Sequence, residues 1–262
     1  MTELNLTQQH PRFNLLLLGD SCTDEYQIGL VDRLSPEAPV PVVKIINSYS
    51  VDGMAANVKN NLSQFNVHVD FITNFEKITK VRYIDERSGQ HLIRVDCEPT
   101  VVGWSGQTPF DISIYDAIIV SDYNKGFLNY AHIKSLIETA SCPIFIDTKK
   151  TDLCQFSGDH VYVKINEIEY NNKVTSPSNM IITLGSNGVM LSTNNYATHY
   201  PGYPVDVVDV CGCGDTFLAA VAYWFLVTKD ISEAVKFANK AASITVQHQG
   251  CYSPAINEIL VE

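Results

Sequence analysis

Asp209-Val210-Cys211-Gly212-Cys213-Gly214-Asp215-Thr216-Phe217 is the stretch whose residue types and spacing point most directly to chemistry. Two glycines flank one small residue, an aspartate follows at once, and an apolar segment runs from Phe217 to Val227. Glycines let the backbone turn so that several N–H groups converge on one cavity. A helix starting there adds the positive end of its dipole. Together these features hold an anion. Asp215 is out of place beside an anion, unless it takes a proton from a hydroxyl that attacks a phosphate. The same letters also serve as a plain helix cap, because Asp near a helix start satisfies N–H groups and favours the dipole. Spacing alone leaves both readings open.

The chain around this loop has 262 residues, 45% hydrophobic and 18% charged, the make-up of an ordinary globular protein. That length buries a large core, as one α/β domain or two small ones. A net charge of -11 argues against a nucleic-acid binder that works by neutralising phosphates. It leaves room for a small anionic substrate, which a few local cations can hold. No apolar run reaches the length of a membrane span, and Met1 to Arg12 is polar and no signal peptide. A cytoplasmic protein with no membrane partner is expected. The seven cysteines form no CxxC pair and no zinc-type Cys/His spacing. Cys211 and Cys213 are too close for an ordinary disulfide with each other. All seven read as reduced, with these two as small fillers of a tight loop; a reactive thiol is the alternative.

The elements that must position the loop are legible as a pattern. Phe13 to Leu18 is a continuous apolar run ending in Gly19-Asp20, the signature of a strand buried on both faces. Ala117 to Val120, Pro143 to Ile146, Val161 to Ile165 and Met180 to Leu184 repeat it, each followed by polar residues or glycine. Helix-like segments lie at Ala55 to Phe65, Tyr130 to Ala140 and Ser232 to Gln247. Strands alternating with helices predict a central, mostly parallel sheet with helices on both faces, and ligands at the strands' carboxyl ends. Val40 to Ile46 carries prolines and reads as an edge strand. Lys80 to Asp85 and His91 to Val95 flank a hairpin-like turn. These predict a small antiparallel β flap, with strands within about 25–50 and 78–97, that covers the site or meets a second copy. Met190 to Tyr200 reads as another hairpin, turning at Asn194-Asn195.

The loop from Asp209 to Phe217 resembles the second signature of the PfkB, or ribokinase-like, carbohydrate kinases, usually D-x-x-G-A-G-D. Gly53-Met54-Ala55-Ala56-Asn57-Val58 resembles the family's first glycine signature, Asn166-Glu167-Ile168-Glu169 its N-x-x-E element, and Thr183-Leu184-Gly185-Ser186-Asn187-Gly188 its nucleotide loop. Leu34 to Lys44, Gly19-Asp20 with Asp24, His91 to Asp96 and Ser121 to Gly126 are similar to the heptose-7-phosphate kinases within it. These pieces cover most of the chain in the right order. The resemblance implies a single ribokinase-like kinase domain over residues 1–262, without the fused nucleotidyltransferase of many relatives. It implies ATP-dependent phosphorylation of D-glycero-D-manno-heptose 7-phosphate at O1, giving the 1,7-bisphosphate. Three departures stand out. Met54 replaces the usual second glycine and is expected to add a side chain near the sugar. The chain is short between Phe71 and Lys77, and again between Tyr170 and Met180.

The resemblance also implies roles. Asp215 would be the general base, and the N–H groups of Gly212, Cys213 and Gly214 the anion hole. Asp20, Asp24, Gly53 and Asn57 would meet the sugar. Arg82, Arg94 and Lys125 would bind its phosphate, with Lys80 a further candidate. Asn166 and Glu169 would hold Mg²⁺ through water, though an Asn cap with Glu at the third position gives the same letters. Thr183, Gly185, Gly188 and Asn239 would line the ATP. A homodimer through the flap is expected. Two alternatives stay open: a PfkB-type kinase for another sugar or a nucleoside, and a catalytically weak binder of sugar phosphate or nucleotide.

Overall fold

The structure, a computed structural model, describes residues 12–108, 111–193 and 196–261. The turn expected at Asn194-Asn195 and the polar segment before Arg12 lie outside these residues. The first strand, Phe13–Gly19 (β1), sits inside an eight-stranded sheet. Its leucines alternate between two cores. Leu15 and Leu17 enter one apolar cluster, Leu16 and Leu18 the other. That is why the strand reads as an unbroken apolar run.

Two strands that the apolar pattern does not mark follow and complete the frame. Ser21–Leu34 (β2) pairs with Pro41–Met54 (β3), and Val67–Thr73 (β4) runs parallel to β1 at the sheet's edge. β2 escapes notice because its half-exposed residues are mostly polar, with no apolar run. Ile78–Asp85 (β5) and His91–Cys97 (β6) join β2 and β3 in a four-stranded flap ordered β3-β2-β5-β6. Its outer pairs are antiparallel, while the central β2–β5 pair is parallel. The proline-bearing strand lies at the flap's edge, as its composition requires. Residues 74–77 alone connect β4 to β5. Asn74 closes that short link by accepting the Ser21 N–H at 2.7 Å and donating to the Glu76 carbonyl at 2.6 Å.

The large sheet continues through Ala117–Asp122 (β7), Ile144–Thr148 (β8), Val161–Asn166 (β9) and Asn179–Thr183 (β10), all parallel. Val189–Thr193 (β11) and Tyr196–Tyr200 (β12) close it as antiparallel strands. One face is covered by Ala55–Leu62 (α1), Cys213–Thr228 (α4), Ile231–Thr245 (α5) and Ile256–Leu260 (α6). The other packs Tyr130–Thr139 (α2) and Tyr170 of Glu167–Asn172 (α3). α4 is apolar almost all round because it lies between the sheet, α1 and α5. It begins at Cys213, four residues before its apolar run, so Asp215 stands inside its first turn.

The loop after β7 is fixed by buried charge. Asp20 is fully buried and accepts the N–H groups of Lys125 at 3.2 Å and Phe127 at 3.3 Å. From the other side, the Lys150 amine donates to Asp122 at 2.7 Å, to Asn124 at 3.2 Å and to the Leu128 carbonyl at 2.9 Å. Asn124 takes a left-handed φ of 56° within this clamp. Lys150→Met should leave Asp122 buried without its cation, which costs about 3–5 kcal/mol. Urea unfolding checks this, and an unchanged midpoint would contradict the clamp.

Candidate active site

Asp215 is 5% exposed, at the carboxyl end of the parallel strands. Each of its oxygens receives one hydrogen bond. The Asn57 amide donates to Oδ2 at 2.8 Å, and the Tyr123 hydroxyl donates to Oδ1 at 2.9 Å. Burial raises its pKa to about 6, against the donation from Asn57. Asp147 nearby pushes the same way as burial, and Lys164 and Tyr123 oppose it. A carboxylate with a pKa near neutrality is suited to exchanging a proton.

Gly212 makes the approach to this carboxylate possible. Its φ is 73°, and a side chain there would stand 2.7 Å from the Asn57 amide. It caps α4 without a side-chain bond, so the first N–H groups of the helix face the site. The Cys213 N–H makes only a long 3.5 Å contact with the Val210 carbonyl. Beneath Gly214 lies the buried amine of Lys164, 2.6 Å from Asp147. Burial works against that positive charge, but Asp147 beside it holds the amine above its ordinary pKa. A cation therefore sits directly under the helix start.

Several of the expected ligands have partners within the protein. Asp20 is a loop anchor: fully buried, it accepts one backbone amide on each oxygen. Asp24 and Arg82, expected to act separately, form one ion pair, and Arg82 lies over the Tyr26 ring at 5.3 Å. Gly53 clears space for the Asp24 carboxylate, 2.2 Å from where a side chain would begin. Met54 turns away from the site into the cluster of Leu16, Leu18, Cys22 and Ile78. Its φ of 57° belongs to glycine, a strain of about 1–3 kcal/mol. Asn57 donates to Asp215 and also lines the neighbouring cavity. Arg94 pairs with Asp96 on the flap surface, and Lys125 with Glu98.

Asn166 and Glu169 form a reciprocal cap on α3, and Lys149 pairs with Glu169. Their geometry is thus the helix cap that the same letters allow. Thr183 lies beside Asn166 in register. Gly185 and Gly188 both have positive φ, at 58° and 90°, in the turn that follows β10. Gly188 packs on Tyr200 to Gly202, and Asn239 donates to the Pro201 carbonyl at 2.8 Å. The residues expected at the nucleotide thus gather at one edge of the strand ends.

Sequence reading missed Tyr123, Lys164 and Asp147 as site residues. Each left a local signal: Asp147 follows an apolar strand run, Tyr123 lies within Ser121 to Gly126, and Lys164 is a charge inside the otherwise apolar Val161 to Ile165. Tyr123 is flanked by Lys80 of the flap at 5.8 Å from its ring and by Lys149 at 5.3 Å. Lys80 makes no ion pair among the described residues, which leaves its charge available. Beside Asn57 a cavity of about 330 Å³ opens, lined by Thr23, Ser50, Asp52, Asn60, Cys251 and Ser253 among others.

The fold of this chain is ribokinase-like. The ribokinase of Arabidopsis thaliana, solved with ribose and ATP, superposes with a TM-score of 0.71 at 16% identity, covering 96% of this chain and 100% of that one. The nucleoside kinase of Methanocaldococcus jannaschii gives 0.70 at 14% identity, over 95% and 97% of the two chains. Residues 139–258 match the pfkB family of carbohydrate kinases. Among curated relatives, the bifunctional protein HldE of Nitratiruptor sp. is 29% identical over 94% of this chain and 64% of its own length. That of Vibrio vulnificus is 30% identical over 90% and 60%. The chain thus spans less than two thirds of these relatives.

Donation from Asn57 and Tyr123 favours the ionised form of Asp215. Asn57→Ala and Tyr123→Phe should therefore each move its titration above pH 6. Carbon-13 NMR of labelled aspartate checks the sign, and a downward shift would contradict it.

Proposed function

We propose that this protein is an ATP-dependent carbohydrate kinase acting as one unit, whose acceptor is a sugar phosphate, D-glycero-D-manno-heptose 7-phosphate at O1. The observation that carries the reading is Asp215 in the first turn of an uncapped helix, over a buried lysine, with a pKa of about 6. The pfkB segment and the HldE relatives support a kinase. The segments similar to heptose-7-phosphate kinases support the acceptor.

A carboxylate offers about four lone-pair directions, so Asp215 can accept a sugar hydroxyl while Asn57 and Tyr123 keep it aimed. As the hydroxyl oxygen bonds to the γ-phosphorus and the bond to ADP breaks, its proton passes to Asp215. The N–H groups from Gly212 to Gly214 and the Lys164 amine meet the charge on the transferring group. Thr23, Ser50, Asp52 and Asn60 offer the sugar hydroxyls a polar wall. Lys80 is the cation best placed for the acceptor's phosphate, ahead of Arg82, Arg94 and Lys125, which have acidic partners. The nucleotide lies over Thr183, Gly185 and Gly188, with Asn239 nearby.

Mg²⁺ binds with several waters and few protein ligands. Asp147 fits it, because its Oδ1 is buried and unpartnered while Oδ2 holds Lys164. Asn166 and Glu169 fit less well, being engaged in the α3 cap. When bound, the ion would neutralise the ATP phosphates.

The flap register puts Val81, Tyr83, Ile93 and Val95 on the face opposite Lys80, Arg82 and Arg94. Ile93 is 56% exposed and Val95 41%. A second copy of the chain covers this face in a homodimer. Ile93→Asp should give a monomeric mass in sedimentation, and a monomeric unmutated protein would contradict the dimer. No described helix is long and apolar enough to cross a membrane; a cytoplasmic setting without a membrane partner is part of the proposal.

Asp215→Asn should lower turnover of heptose 7-phosphate on the order of 10²–10⁴-fold, with ATP binding kept. A sugar panel tests the acceptor. Phosphorylation of an unphosphorylated sugar or nucleoside, with heptose 7-phosphate ignored, would overturn it.

A further inference from the structure

Two thiols that the proposed reaction does not use stand against the catalytic loop. The Cys211 and Cys251 sulfurs are 3.4 Å apart although the residues lie 40 positions apart in the chain. We propose that Cys211 and Cys251 form a reversible, peroxide-sensitive dithiol–disulfide site that ties the loop before α4 to the turn at Gly250.

Four observations hold the two sulfurs together. The Asp209 carboxylate accepts the Cys211 N–H and the Gly250 N–H, each at 2.9 Å, which fixes the two segments in register. Gly212 has no side chain, and the Cys251 sulfur packs 3.1 Å from where one would begin. The Tyr26 hydroxyl, from the flap, lies 4.0 Å from the Cys211 sulfur. Cys251 also lines the cavity beside Asn57, so a small oxidant has a route to the pair. A disulfide needs the sulfurs to close by about 1.4 Å, to about 2.05 Å.

The two thiols divide the labour. The hydrogen bond to Cys251 brings the Cys211 thiol down to about 7, against burial and with help from Tyr26, while the same bond pushes Cys251 up. Cys211 is thus the thiolate and Cys251 the proton-bearing partner. Burial pushes the Cys22 thiol up to about 12, which makes it inert.

The chemistry balances with a hydroperoxide as oxidant. The Cys211 thiolate attacks one peroxide oxygen, the O–O bond breaks, and hydroxide leaves to be protonated to water. The Cys211 sulfur is now a sulfenic acid. The Cys251 sulfur attacks it, the S–O bond breaks, and the departing hydroxide takes the Cys251 proton as water. Two thiols are oxidised to one disulfide and one hydrogen peroxide is reduced to two waters. A dithiol reductant reverses the bond by exchange. Because Gly212 follows Cys211 directly, the bond clamps the helix start that carries Asp215. That consequence alone rests on the kinase reading.

The test treats the full chain with hydrogen peroxide, alkylates the remaining thiols and maps the unreduced peptides by mass. The expected result is a peptide pair joined through Cys211 and Cys251, five of the seven thiols left (7 − 2), and recovery with dithiothreitol. Cys251→Ser and Cys251→Ala should each lose the cross-link. Oxidation of the exposed Cys97 and Cys154 with Cys211 and Cys251 unlinked would overturn the site. Sugar phosphorylation should fall on the order of tenfold to a hundredfold on oxidation, the scale of an ångström-size misplacement, and recover with reductant. A cross-linked chain that turns over as fast as the reduced one overturns the clamp. A cross-linked chain whose reduced form phosphorylates no sugar upholds the thiol site and removes the kinase reading.

Discussion

A carboxylate taken out of water is the constraint that the rest of the site answers to. Burial raises the pKa of Asp215 from 3.8 to about 6 despite two donors on its oxygens. With the folded pKa above the unfolded one, this group favours folding below pH 3.8, and that contribution is lost as pH rises through 6. At neutral pH, holding the ionised form in place costs the fold about 3 kcal/mol. The protein keeps an unstable charge at the head of α4, and its neighbours determine where that charge points. Asn57 reaches it from α1, Tyr123 from the loop after β7, and Lys164 supports it from β9.

Each of those supports is itself anchored by buried polar contacts. Asn61 donates to the Asn57 carbonyl and accepts from Thr216, and Thr245 donates to Thr216. α1, α4 and α5 are thus joined beneath the site through hydroxyl and amide groups instead of packing alone. Tyr123 depends on the clamp of Asp20 and Lys150. The flap adds a further side. It touches the catalytic region through Lys80 over Tyr123 and through Tyr26 beside Cys211. A ligand that shifts the flap therefore acts on both the carboxylate's donor and the thiol pair.

Much of this was legible from residue order. The apolar runs of β1, β7, β8, β9 and β10 announced a buried parallel sheet, because strands covered on both faces cannot alternate. The glycine spacing at 212–214 announced a helix start with an acid beside it, and left an anion site and a plain helix cap both open. What stayed hidden depends on partners far away in sequence. Nothing local distinguishes Arg82 free for a phosphate from Arg82 paired with Asp24, 58 residues away. Asp20 and Asp215 are both acids after a strand or glycine turn, yet one is held by backbone amides and the other by the side chains of Asn57 and Tyr123. Asn166 and Glu169 spell a cap and a metal site with the same letters, and the cap is what forms. Met54 occupies a glycine backbone position, and only the packing shows its side chain turned inward.

The central claim is that phosphoryl transfer takes place at the head of α4 with Asp215 as the proton acceptor. A crystal structure with ADP, aluminium fluoride and heptose 7-phosphate tests it most directly. The account predicts the fluoride group on the N–H groups of Gly212 to Gly214, near Lys164, with the acceptor oxygen about 2.6–3.2 Å from Asp215. A fluoride group bound away from this helix start, or an acceptor hydroxyl out of reach of Asp215, would contradict it.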